Sequence, residues 1–170
     1  KAKATSKSVS FFFKLINQDK TILMQNSSHL YEQVDGKFIN ITEKAGLLSP
    51  TFGLGLCVSD INGDNWPDIY IANDYYVKDG MYINNQDGTF SEMLKESTKH
   101  ISNFSMGFDI ADFDNDGFLD IVTVDMVAED NYRIKTNMSG MNPKRFKKAI
   151  NSGFHYQYMM NTLQKNNGNS

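Results

Sequence analysis

Two nine-residue stretches carry the clearest chemistry in the chain. Asp60, Asn62, Asp64 and Asp68 stand at positions 1, 3, 5 and 9 of one, and Asp112, Asp114, Asp116 and Asp120 hold the same positions of the other, 52 residues further on. Hard oxygen donors at alternating positions of a tight loop converge on one point, and the main-chain carbonyl at position 7, Trp66 or Phe118, can add another. An oxygen-only, flexible set of this kind suits calcium, which takes roughly 6 to 8 ligands; magnesium demands stricter octahedral geometry and keeps its waters. Without a cation, three or four carboxylates in so small a space repel one another, so each loop makes electrostatic sense around a metal ion. Two calcium sites are therefore expected. The plainer alternative is a hydrophilic turn, since Asp and Asn are ordinary turn formers. Recurrence of the same ligand positions favours the metal. An EF-hand is excluded, because position 12, which should hold a bidentate Glu, is Ile71 in one loop and Thr123 in the other.

Other reactive residues are isolated. Cys57, the single cysteine, rules out an intramolecular disulfide and any zinc site built on cysteine pairs. Flanked by Leu56 and Val58 with nothing electropositive beside it, it reads as an inert, partly buried thiol. His29, His100 and His155 lie far apart with no carboxylate or nucleophile at motif spacing, and read as surface histidines. No catalytic constellation is visible, so a structural role for the metal is expected and enzymatic activity is not. The formal charge of −3 over 170 residues gives no basic footprint for nucleic acid. No apolar run approaches the roughly 20 residues of a membrane span.

The loops sit inside a longer repeat. The segment 51–69 aligns without a gap on 103–121, and the stretch from Leu30-Tyr31 to Phe38 recurs from Met81-Tyr82 to Phe90, with a fainter copy at 163–168. The copies alternate short apolar runs rich in β-branched and aromatic residues with tight turns, and Asp35-Gly36 and Asp87-Gly88 are strong hairpin signals. Four antiparallel strands in about 50 residues is the signature of a β-propeller blade. The expected fold is all-β: a fragment of a propeller with four-stranded antiparallel blades, about two and a half of them. Residues 1–28 read as an N-terminal tail and lead-in, with 1–8 basic and without periodicity. Residues 29–46 read as the end of one blade, 52–94 as a complete blade, and 104–170 as most of a third with a helical insertion at 127–156. Within that insertion, Asn142-Pro143 marks a helix start and Gly153 a stop, and 129–138 is a second, weaker helix candidate. Lys144, Arg145, Lys147 and Lys148 make the first of these helices basic, with Phe146 and Ile150 on another face. Tyr75-Tyr76, Tyr156 and Tyr158 could stack on sugars or pack between blades.

The pattern Asp-x-Asp/Asn-x-Asp-x-x-x-Asp, preceded by Phe-x-x-Gly and followed by a Tyr-x-Asn-Asn-x-Asp-Gly-Thr-Phe hairpin, resembles the FG-GAP (VCBS) repeats. Those build the propeller of integrin α-subunits and of large secreted proteins similar to cartilage acidic protein. The resemblance covers most of 29–126 and resumes at Leu163. It implies calcium at the turn between the first two strands of a blade, and an extracytoplasmic setting. The family usually has Gly at position 6, as Gly117 does; the first loop has Asn65 there and Gly63 two places earlier. Asn tolerates the left-handed conformation better than most residues. Asn62 also removes one charge from the first loop, so the second is expected to bind calcium more tightly.

These readings together predict a calcium-stabilised, non-catalytic binding or adhesion module. It would be secreted or at the cell surface, outer-membrane association included. Its partners would be a protein or glycan held through the loops and the 127–156 insertion, together with further blades of the same protein. Two alternatives stand beside it: a polysaccharide hydrolase or lyase with its catalytic residues on other blades, and an architectural subunit of a surface assembly.

Overall fold

The computed structural model describes residues 13–15, 22–24, 28–47, 50–74, 77–137 and 142–168. The tail 1–8, the pair Tyr75-Tyr76 and Met138 lie outside the described residues. Strands β1 (Phe13–Leu15) and β2 (Ile22–Met24) pair antiparallel inside the stretch read from sequence as a lead-in. A hairpin follows, β3 (Tyr31–Val34) with β4 (Lys37–Asn40), turned by Asp35 at φ 49° and Gly36 at φ 78°. Two successive positive φ values give the turn whose twist matches that of its strands, which is why Asp-Gly sits there.

The complete blade is a four-stranded antiparallel sheet in sequence order: β5 (Gly53–Ser59), β6 (Asp68–Asn73), β7 (Gly80–Asn84) and β8 (Phe90–Glu92). A single-turn helix α1 (Leu94–Ser97) and strand β9 (Ile101–Ser102) lead out of it. The next sheet begins with β10 (Gly107–Ala111) and β11 (Asp120–Val124). Two helices, α2 (Asn131–Asn137) and α3 (Pro143–Asn151), precede the short β12 (Gln157–Tyr158), and β13 (Thr162–Gln164) returns to pair with β11. The architecture is that of part of a β-propeller, mostly antiparallel β with few helices, as the repeat predicts.

The period of two along β6 explains how the blades hold together. All six residues of β6 are buried. Tyr70 and Ala72 point into an apolar cluster with Ile61, Met81, Leu94, Ile101 and Ile121, which joins this blade to the next. Ile69 and Ile71 point the other way, into a cluster with Leu30, Ala45, Leu47 and Tyr82, which joins it to the preceding hairpin. A strand hydrophobic on both faces is stable only between two neighbours. Inner strands of adjacent blades approach closely at Gly55: a Cβ there would lie 2.4 Å from the ring of Phe108, which would have to move to admit it.

The insertion is less detached from the blades than its place in the repeat predicts. Asn142 caps α3, its Oδ1 accepting the N–H of Lys144 at 2.9 Å, and Pro143 opens the helix. Beyond α3, β12 pairs in parallel with β9, and the N–H groups of Ile101 and Asn103 donate to the carbonyls of Tyr156 and Tyr158. The ring of Phe146 packs against that of Tyr158, centroids 5.3 Å apart and tilted by 32°.

Candidate metal centre

Both aspartate loops are turns between the first two strands of a sheet, β5 to β6 and β10 to β11. Each bends through two left-handed residues: Gly63 (φ 78°) and Asn65 (φ 68°) in the first loop, Asn115 (φ 60°) and Gly117 (φ 90°) in the second. The two loops thus use Gly and Asn at positions 4 and 6 in opposite order, and Asn65 carries the strain that its residue type tolerates.

Position 1 shapes the turn. Asp60 Oδ1 accepts the N–H groups of Gly63 and Asp64 (2.8 and 2.9 Å), and its Oδ2 accepts that of Asn65 (2.8 Å). Asp112 does the same for Asp116 (3.0 Å) and Gly117 (2.9 Å). Position 5 holds the end of the loop, Asp64 Oδ1 accepting the Trp66 N–H at 2.8 Å and Asp116 Oδ1 that of Phe118 at 3.0 Å. These bonds hold the carboxyls of Asp64 and Asp116 below the ordinary carboxylate range.

Position 9 is a buried brace. Asp68 is fully buried; its Oδ2 accepts the Ile61 N–H at 2.9 Å, and its Oδ1 reaches across the sheet to the N–H of Asn84 at 2.8 Å. Burial pushes its carboxyl up, against the lowering effect of those bonds. Asp120, 2% exposed, repeats the arrangement with Phe113 (3.2 Å) and Asn166 (2.8 Å). Each position-9 aspartate therefore ties its loop to the end of the third strand. A carboxylate has about four lone-pair sites, so an oxygen that accepts one N–H can still face a cation.

The loops differ at their mouths. In the second, carboxylate oxygens of Asp112, Asp114 and Asp116 all lie within 4.8 Å of one another. Over them sits Lys165, whose Nζ forms an ion pair with Asp114 and lies 3.3 Å from Asp116. That oxygen-only donor set already draws a positive charge, and it fits a hard divalent cation. In the first loop, Asn62 turns its amide nitrogen to Asp64 Oδ2 at 3.1 Å, and Gln86 Nε2 approaches the same oxygen at 3.4 Å. Amide donors there take the part of a cation. The two loops differ in their donors: among the described residues a set of three clustered carboxylates is found in the second loop alone. The cause is Asn62, which supplies a donor where Asp114 supplies a charge.

Lys165, Asn84 and Asn166 were not singled out by the sequence reading. The paired Asn in the Tyr-x-Asn-Asn hairpin was the available signal for the braces, while no local pattern marks Lys165. The histidine reading needs correction at His155, which is buried and pairs with Thr98 Oγ1 at 3.0 Å; burial lowers its pKa. Cys57 is half-buried, and its thiol is pushed up by burial and then by Asp109 across the blade junction, as an inert thiol should be.

Residues 60–123 match the family model of the FG-GAP-like repeat, a span that contains both loops and all of β6 to β10. No curated protein is significantly similar to the chain.

Proposed function

Residues 60–123 being an FG-GAP-like repeat and this chain an FG-GAP repeat protein, we propose that it is a calcium-stabilised propeller module working outside the cytoplasm to bind a protein or glycan. The observation that carries the reading is the trio Asp112, Asp114 and Asp116, with oxygens within 4.8 Å of one another at a turn that the repeat fixes. Asp112 shapes that turn through backbone bonds, Asp114 and Asp116 face its mouth, and Asp120 anchors it to β13. Bound calcium would cross-link these residues and so stiffen the junction of three strands. The second loop is the principal site and the first the weaker one.

Calcium at such loops suits an extracytoplasmic setting, because extracellular modules bind it at about 10⁻⁴ to 10⁻³ M. Among the described residues no helix is long and apolar enough to cross a membrane. Further blades are the nearest partners: Leu54, Leu56 and Val58 of the inner strand β5 are exposed, as residues that a neighbouring blade covers would be. The proposed role is binding, the loop carboxylates serving the turn and its cation; among the described residues no base and nucleophile stand beside them. Calorimetric titration of the full chain with calcium tests the site. Asp112→Asn with Asp116→Asn should abolish the stronger binding event, and binding that survives intact would place the metal elsewhere.

A further inference from the structure

The bond from the Asn166 N–H to Asp120 Oδ1, 2.8 Å, fixes where the chain lies just beyond β13. Lys165, the residue before it, is thereby held over the second loop, its ammonium bridging Asp114 and Asp116. In the preceding blade Asn84 makes the same bond to Asp68, so the residue equivalent to Lys165 is Ile83. Ile83 packs against the apolar cluster between the blades and brings no charge to its loop. The first loop thus has three acids (Asp60, Asp64, Asp68) and, among the described residues, no cation paired with them, formally −3. The second has four (Asp112, Asp114, Asp116, Asp120) and one lysine, which also gives −3. The additional carboxylate, by which the second loop should outbind the first, is offset by a charge that the fold itself supplies.

We infer that Lys165 is a tethered counter-cation of the second aspartate loop, holding Asp114 and Asp116 together in the metal-free protein and competing with calcium for their oxygens. Its side chain is 50% exposed, so it can swing into solvent when a divalent ion takes its place. A flexible ammonium is strongly hydrated and has no fixed geometry to lose. The exchange sets an affinity lower than four acids alone would give, and tunes the loop to a calcium-rich medium. This inference rests on the calcium reading of the second loop.

The test compares the full chain with Lys165→Met and Lys165→Arg, each titrated calorimetrically with calcium chloride and melted in EGTA. Removing the charge should tighten calcium binding about two- to fivefold, the worth of an exposed ion pair. It should also lower the melting temperature in EGTA by roughly 1 to 3 °C. The arginine variant should match wild type in both. A Lys165→Met affinity equal to or weaker than wild type overturns the inference and leaves the calcium reading standing. No calcium heat from either protein overturns both.

Discussion

At Asp79 the chain buries a carboxylate to which, among the described residues, no basic side chain is bonded. The carboxylate, 1% exposed, accepts the hydroxyls of Tyr70 (2.7 Å) and Ser105 (2.8 Å) and the Asn73 N–H (2.8 Å), tying β6 to the approach of β10. Burial raises its pKa above the ordinary 3.8 by more than those bonds lower it, and Asp125 adds to the rise. The folded protein therefore keeps this proton to higher pH than the unfolded chain. Below the ordinary value both states are protonated and the group contributes nothing; as pH climbs above it the unfolded chain ionises first, and stability is lost. Chemical denaturation across acid to neutral pH should show wild type losing stability relative to Asp79→Asn as pH rises, and parallel curves would contradict the account. Asp79→Ala, which strands two buried hydroxyls and an N–H, should cost about 2 to 4 kcal/mol at neutral pH. At the first loop, Asn62→Asp replaces the amide that donates to Asp64 with a carboxylate, and should strengthen metal binding there. Terbium luminescence excited through Trp66, the sole tryptophan, reads that loop selectively. An unchanged titration would mean that loop geometry, and not charge, limits the site.

Among the elements, those with local signals were legible and those made by distant contacts were not. Asp-Gly announced the β3–β4 turn, and the Asn142-Pro143 cap announced α3, expected over 143–152 and found as Pro143–Asn151. The weaker candidate at 129–138 is α2, Asn131–Asn137. At Asp87-Gly88 the turn is wider than a two-residue hairpin, with Gln86 at φ 66° and Gly88 at φ 87°, because β7 ends at Asn84 to meet Asp68. The four-residue α1 and the two-residue β9 and β12 are too short to show a period, and their pairing is set by contacts more than 50 residues apart in sequence. For the same reason His155 reads as a surface residue until Thr98 is seen beside it. The insertion accordingly has two parts. Replacing 128–153 with a short connection should leave the thermal melt within a few degrees of wild type and weaken partner binding. Extending the replacement through Tyr158 removes His155 and the bonds to Ile101 and Asn103, and should lower the melting temperature clearly further. Equal melts for the two replacements would show that the packing of 154–158 is incidental.

For the whole molecule, the repeat supplies strands whose two faces are both apolar, and β6 needs a neighbour on each side. The turns after the first strand of each sheet place their carboxylates near the apolar junction of the blades, so a cation bound there would stiffen the same place. The loops and their spacing were legible because ligand positions repeat at a fixed interval. The charge missing from the first loop was legible at Asn62; the turn of its amide toward Asp64 and the lysine 49 residues beyond Asp116 were not, since both depend on contacts that only the fold makes. Calcium held at Asp112, Asp114 and Asp116 is the proposed stabiliser of this fold. A thermal melt of the full chain in a hundredfold excess of calcium over its dissociation constant, set against one in EGTA, tests it most directly. One site at that excess adds about 2.7 kcal/mol, or roughly 5 to 10 °C for a chain of this size. A rise of that order, largely removed by Asp112→Asn with Asp116→Asn, is the expected result, and superimposable wild-type curves would contradict calcium binding at this loop.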